Sequence, residues 1–317
     1  MAVIVLSIAV EETTFHFQNP PLRSSGPNAI WLRHSWVDEK HTDGEYRALV
    51  ARLQRMHIAD VYFHAGPLTG SGTVSQAKLY GSARFIRRMK RLDPKIRLQP
   101  WLGQVAEFGG GGPLDLRSPK VRVEIVRTAR KFLDLGADGV HIDLEPIYTG
   151  DQDYIQLLRE LHRVTRSHGA LLSIAAYKPE EFTGIERIST LIARNPGYWT
   201  QGYFLTVAKE VDQVAVMSYD SGIPLPGLYG RSIAWVTEWS VQSGVKSVYI
   251  GIPTYEAGGH AHFRWVENIG NSLHGLRLGV SRLDRPDRRR VGAAIFAEWT
   301  TSPAEEREFR REWLRGR

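Results

Sequence analysis

From about residue 29 to the C-terminus, short apolar runs alternate with longer amphipathic stretches. The runs read AIWLRHSW (29–36), ADVYFHAG (59–66), IRLQPWLGQ (96–104), ADGVHIDLEP (137–146), ALLSIAAY (170–177), DQVAVMSYD (212–220), SVYIGIPTY (247–255) and VGAAIFAEW (291–299). Each is strand-length and bounded by polar residues, Gly or Pro, the pattern of a buried strand. Between them, segments such as DGEYRALVARLQRMH (43–57), SPKVRVEIVRTARKFLDLG (118–136), DQDYIQLLRELHRVTRSHG (151–169) and PAEEREFRREWL (303–314) carry apolar residues at helical spacing. Several open on Ser, Asp or Pro and close at Gly, as capped helices do. Strands joined by helical crossovers must lie parallel. Eight such units predict a single α/β domain over residues 29–317, a closed (β/α)8 TIM barrel, with a doubly wound open sheet as the weaker alternative.

Ahead of this pattern, residues 1–28 read as an N-terminal extension. MAVIVLSIAV is too short to span a bilayer and lacks the basic region and cleavage site of a signal peptide. It reads equally as an extra edge strand or as the remnant of a membrane anchor. The chain has 317 residues, 42% of them hydrophobic, so disorder is not expected. It has no cysteine, which excludes disulfides and thiolate metal sites and leaves the compartment unread. The net charge of +7 comes from arginines crowded on helix-like stretches and one loop, without a nucleic-acid motif. A solvated surface, not a nucleic-acid partner, is expected.

In a barrel of this kind, chemistry sits where strands end and loops begin. That selects His141, Asp143 and Glu145 on the fourth run, Tyr177 on the fifth, Tyr219 and Asp220 on the sixth, Tyr255 and Glu256 on the seventh, and Trp299 on the eighth. GGGG (109–112) reads as a loop over the same face. Side chains alternate along a strand, so Gly139, His141, Asp143 and Glu145 share one face, while Val140, Ile142 and Leu144 pack against helices on the other. Three titratable groups in a row cost too much desolvation to be kept for packing alone, and neighbouring carboxyls push their pKa values apart as acid catalysis requires.

DGVHIDLE resembles the fourth-strand signature of glycoside hydrolase family 18, the chitinase family, whose pattern is Asp-Gly-x-Asp-x-Asp-x-Glu. VAVMSYD resembles its sixth-strand Met-x-Tyr-Asp, GIPTY its seventh-strand Gly-x-Pro-x-Tyr, and the tryptophan of FAEWT the one that ends its eighth strand. Together these cover most of residues 29 to 300. The resemblance implies a hydrolase of β-linked N-acetylglucosamine glycans such as chitin, peptidoglycan or the N-glycan core. It implies an extracytoplasmic or cell-surface setting, against which the missing signal peptide counts. No cofactor or metal is called for, and a monomer is expected.

Asp143 and Glu145 rise from one strand, so they cannot straddle a glycosidic bond as the acid and nucleophile of an ordinary retaining enzyme do. They suit a route in which the sugar's own acetamido oxygen attacks. The resemblance then assigns Glu145 as the acid, Asp143 as the partner of the acetamido N–H, Tyr219 as the holder of the acetamido oxygen, Asp220 as a contact to the same sugar, and Trp299 as its stacking floor. Met217 is expected to pack against the site, and Tyr177, Tyr255, Trp101 and Gln104 to line it. His141 stands where the family has its middle Asp, and is expected to donate to Asp143 and hold it away from Glu145. Two alternatives remain: a two-carboxylate retaining glycosidase pairing Glu145 with Glu256, and a glycan-binding protein disabled by His141. Metal ligation by His141, Asp143 and Glu145 is disfavoured, since three ligands on one strand converge poorly.

Overall fold

The computed structural model of the chain describes residues 12–15, 17–18, 20, 26–38, 40–107, 111–181, 197–256 and 261–314. Eight strands, β1 (Asn28–Leu32), β2 (Ile58–His64), β3 (Arg97–Val105), β4 (Gly139–Glu145), β5 (Leu171–Ala176), β6 (Gln213–Val216), β7 (Ser247–Pro253) and β8 (Val291–Phe296), alternate with eight helices. These are α1 (Asp43–Arg55), α2 (Gln76–Leu92), α3 (Pro119–Asp134), α4 (Gln152–Ser167), α5 (Gln201–Ala208), α6 (Pro226–Val241), α7 (Ile269–Arg282) and α8 (Pro303–Phe309). Each strand pairs in parallel with its neighbours in sequence, and β1 also pairs with β8 through Ala29–Ala294 and Ile30–Ile295. The result is a closed (β/α)8 TIM barrel.

Local chemistry sets the element boundaries. Thr42 and Ser302 open α1 and α8 with capping boxes closed by Glu45 and Glu305, and Asp151 caps α4 through the Tyr154 amide. Several runs outlast their strands, the first and the sixth by four residues each. β1 ends at Leu32, with His34–Trp36 forming a 3-10 turn, and β6 ends at Val216, so Met217 to Asp220 form a loop. A two-residue parallel ladder, Lys178–Pro179 with Tyr198–Trp199, lies between β5 and α5.

The first ten residues, and Gly109 and Gly110 of the glycine loop, fall outside the described residues. Residues 12–15 are helical. Phe15 is buried against Ala234 and Leu278 of α6 and α7, and the Glu12 carboxylate accepts from the Gly227 and Leu228 amides at the start of α6. That is a capping contact made across 215 residues of chain. Among the described residues, no helix is long and apolar enough to cross a membrane.

Val140, Ile142 and Leu144 are buried in the apolar layer between strands and helices, as the alternation requires. The barrel interior is layered. At its floor, fully buried Asp60 accepts from Arg97, Gln99 and Tyr249. Above it lie Trp31, Tyr62, His141 and Ser173, and above those the carboxyl pair. Asn28 closes the seam. Its amide nitrogen donates to the Met56 carbonyl, and its oxygen accepts from the Ala293 amide at 3.1 Å and the Trp313 indole at 2.8 Å.

Candidate active site

β4 carries Asp143 and Glu145 on its inward face near the barrel mouth, each keeping some solvent contact while ringed by protein. Asp143 Oδ2 accepts from the Trp101 indole N–H on β3 at 2.8 Å, whereas its buried Oδ1 receives no donor. Glu145 Oε2 accepts from the Tyr177 hydroxyl at 3.0 Å. Desolvation raises both carboxyls. For Asp143 the Glu145 charge and a hydrogen bond between the two carboxyls add to the rise; for Glu145 that bond and Tyr177 oppose it. Both carboxyls are thus held above the ordinary carboxylate range, Asp143 by burial and then the Glu145 charge, Glu145 by burial.

His141 departs from expectation. It is fully buried, and its ring stacks on Tyr62 at 3.8 Å. Nε2 lies 3.2 Å from the Trp31 indole N–H and Nδ1 lies 2.9 Å from the Ser173 hydroxyl. An indole only donates, so Nε2 accepts and Nδ1 carries the hydrogen. Both nitrogens are thus engaged away from Asp143, and the expectation that His141 donates to that carboxylate, or touches a substrate, is corrected. Burial pushes its pKa well below the usual histidine value, so it is neutral.

The loop after β6 brings Tyr219 and Asp220 into the same charge neighbourhood. Burial, then the nearby Asp143 and Glu145, raises the Tyr219 hydroxyl, and the Asp220 charge adds to the rise at Glu145. The Tyr219 ring stacks on Phe296 at 5.2 Å. Gly251 of the GIPTY run makes room for it, since a Cβ there would meet Tyr219 Cε1 at 2.8 Å. Asp220 holds a left-handed φ of +49° and accepts from the Tyr255 hydroxyl at 2.8 Å. Trp299 meets the Phe296 ring edge-on at 5.9 Å, with the Arg33 guanidinium over it at 5.8 Å. Met217 packs against the main apolar core, and the Gln104 amide donates to the Leu68 carbonyl. Glu256 stands apart, 81% exposed at its side chain and 3.5 Å from Arg264, which removes the geometric support for pairing it with Glu145.

Three further groups support the site without a strand-end signal in the sequence. Buried Lys178 donates to the Tyr219 carbonyl at 3.1 Å and the Met217 carbonyl at 3.4 Å; burial lowers its pKa while Glu267, Asp220 and Glu145 oppose that. Glu267 and His262, from the segment between β7 and α7, hold the Asp220 turn. Asp220, His262 and Glu267 offer three ligand atoms within 4.8 Å of one another, the one group among the described residues with metal-compatible spacing.

The barrel has the fold of solved chitinases. No family model matches the chain, and no curated protein does. Among solved structures it is similar to the spore cortex-lytic enzyme SleL of Bacillus megaterium QM B1551, at 12% identity and a TM-score of 0.60, over 92% of this chain and 75% of that one. It is similar to a chitinase from Chromobacterium violaceum ATCC 12472, at 15% identity and 0.56, over 92% and 100%. A family 18 chitinase from Cycas revoluta in complex with (GlcNAc)3 matches at 13% and 0.58, over 90% and 98%.

Proposed function

We propose that the protein is a glycoside hydrolase acting on β-linked N-acetylglucosamine glycans, with the substrate's acetamido group as nucleophile. The observation that carries this reading is the placement of Asp143 and Glu145 on the same face of β4 at the barrel mouth, with one Asp143 oxygen held by Trp101 and the other without a donor. An acetamido N–H placed on that oxygen favours the ionised form of Asp143, while burial favours the protonated form of Glu145. Glu145 then donates its proton to the leaving glycosidic oxygen as the acetamido oxygen attacks the anomeric carbon, and later takes a proton from water. Asp143 stabilises the cationic ring intermediate, Tyr219 orients the acetamido oxygen, Asp220 contacts the same sugar and Trp299 provides its apolar floor.

The fold shared with a chitinase holding (GlcNAc)3 and with a spore cortex-lytic enzyme supports this substrate class. Chitin oligomers and peptidoglycan fragments are the substrates to offer, with release of reducing ends as the readout. Glu145→Gln keeps the shape and removes the acid, so it is expected to lose at least about 10³-fold in kcat with unchanged thermal stability. Cleavage by Glu145→Gln at the parent rate would overturn the assignment. Binding of oligomers by the parent without cleavage would favour the glycan-binding alternative.

A further inference from the structure

Asp220 has a demanding position: a left-handed backbone, a side chain 50% exposed at the barrel mouth, and, on the function proposed above, a contact to the reacting sugar. A non-glycine residue holds such a φ only where its surroundings fix it. Its surroundings do so from both sides. Fully buried Glu267 accepts from the Asp220 amide through Oε2 at 2.6 Å, and from the Ser221 amide and hydroxyl through Oε1 at 2.9 and 2.8 Å. His262, whose side chain is also buried, places Nδ1 3.1 Å from Glu267 Oε2 and 3.2 Å from Asp220 Oδ1. The His262 ring stacks on Tyr255 at 4.4 Å, and the Tyr255 hydroxyl donates to the same Asp220 oxygen.

We infer that His262 and Glu267 are positioning residues for the proposed hydrolysis, acting through Asp220. Glu267 pins the turn by its two amides, and the His262 Nδ1 hydrogen, bonded to Glu267 and 3.2 Å from Asp220 Oδ1, stands between the two carboxylates and keeps Asp220 aimed at the sugar. The three side chains have metal-compatible spacing, but both Glu267 oxygens are already taken up by four protein donors. A proton on Nδ1 accounts for the Nδ1 contacts, while the buried Nε2 has no hydrogen-bond partner. The inference rests on the hydrolase reading for its catalytic half alone; the clamp itself can be read without substrate.

The test uses the full chain and two substitutions. His262→Phe keeps the stack on Tyr255 and removes the donor, whereas His262→Asn can place an amide N–H near the position of Nδ1. Misplacing a reacting group by about 1 Å costs on the order of 10²-fold, so His262→Phe is expected to lower kcat on a chitin oligomer about 10- to 100-fold with KM changed less than about three-fold. His262→Asn is expected to recover most of that loss. In parallel, amide hydrogen exchange at Asp220 and Ser221 is expected to be at least about ten-fold faster in His262→Phe than in the parent, and restored in His262→Asn. Unchanged exchange in His262→Phe would overturn the inference, as would faster exchange with an unaltered kcat. Stoichiometric zinc or manganese in the purified protein, lost in His262→Phe, would also overturn it. With a parent inactive on the oligomer, the hydrolase reading falls, and faster exchange in His262→Phe still supports the clamp.

Discussion

Replacing His141 by Asp would complete the chitinase-family pattern that the β4 segment resembles, and the structure predicts that it damages the protein. The imidazole fills a slot between Tyr62 and Trp31, with both nitrogens satisfied inside the barrel. Aspartate is two side-chain atoms smaller and cannot stack. Loss of the ring contact costs about 0.5–1.5 kcal/mol. Disturbing the Trp31 and Ser173 contacts leaves at least one buried polar group without a partner, at about 1–3 kcal/mol. The volume left empty adds about 1 kcal/mol. The new carboxyl also sits on the strand face that holds Asp143 and Glu145, so it remains protonated or repels them. We expect a net loss of about 3–5 kcal/mol. His141→Gln, whose amide oxygen can accept from Trp31, is expected to lose about half as much. Urea unfolding followed by circular dichroism, with m-values compared among the three proteins, measures both differences. If His141→Asp matched the parent within about 0.5 kcal/mol and hydrolysed oligomers faster, the imidazole would have no structural role and the reasoning would be refuted.

Other expectations concern the site and the floor of the barrel. Tyr177→Phe removes the hydrogen bond that lowers Glu145, so the Glu145 pKa rises and the alkaline limb of the pH–rate profile should move to higher pH; a shift to lower pH would contradict the geometry. Asp60→Ala removes the acceptor shared by Arg97, Gln99 and Tyr249 and should cost about 3–5 kcal/mol in denaturant unfolding, because buried donors are left without it. Glu256→Gln changes an exposed side chain paired with Arg264 and should leave kcat within about two-fold; a large loss, with a trapped covalent intermediate, would revive the two-carboxylate route.

What could be read from the chain follows from what repeats along it. Strands of a parallel barrel are buried on both faces, so their apolar runs stand out, and the eight runs sit on the eight strands. The two-residue period placed His141, Asp143 and Glu145 on one face, and the ends of strands pointed to Tyr177 and Tyr219. The role of His141 was not legible. Its partners Trp31 and Ser173 lie on β1 and β5, and only closure of the barrel brings them to it. Lys178, His262 and Glu267 were missed because they occupy segments without a period, where a polar residue looks like ordinary loop surface. Burial distinguishes them, and burial is a tertiary property. Lys178 directly follows Tyr177, so a strand-end search widened by one residue would have found it.

The seam closed by Asn28 has a bearing on biogenesis. The first strand cannot acquire its second neighbour until the last strand, some 260 residues later, has left the ribosome. Until then the nascent chain presents two open strand edges and the apolar flank of an unfinished sheet. Chains truncated ahead of Val291 are therefore expected to need chaperone shelter, and to collect in aggregates and not as soluble fragments.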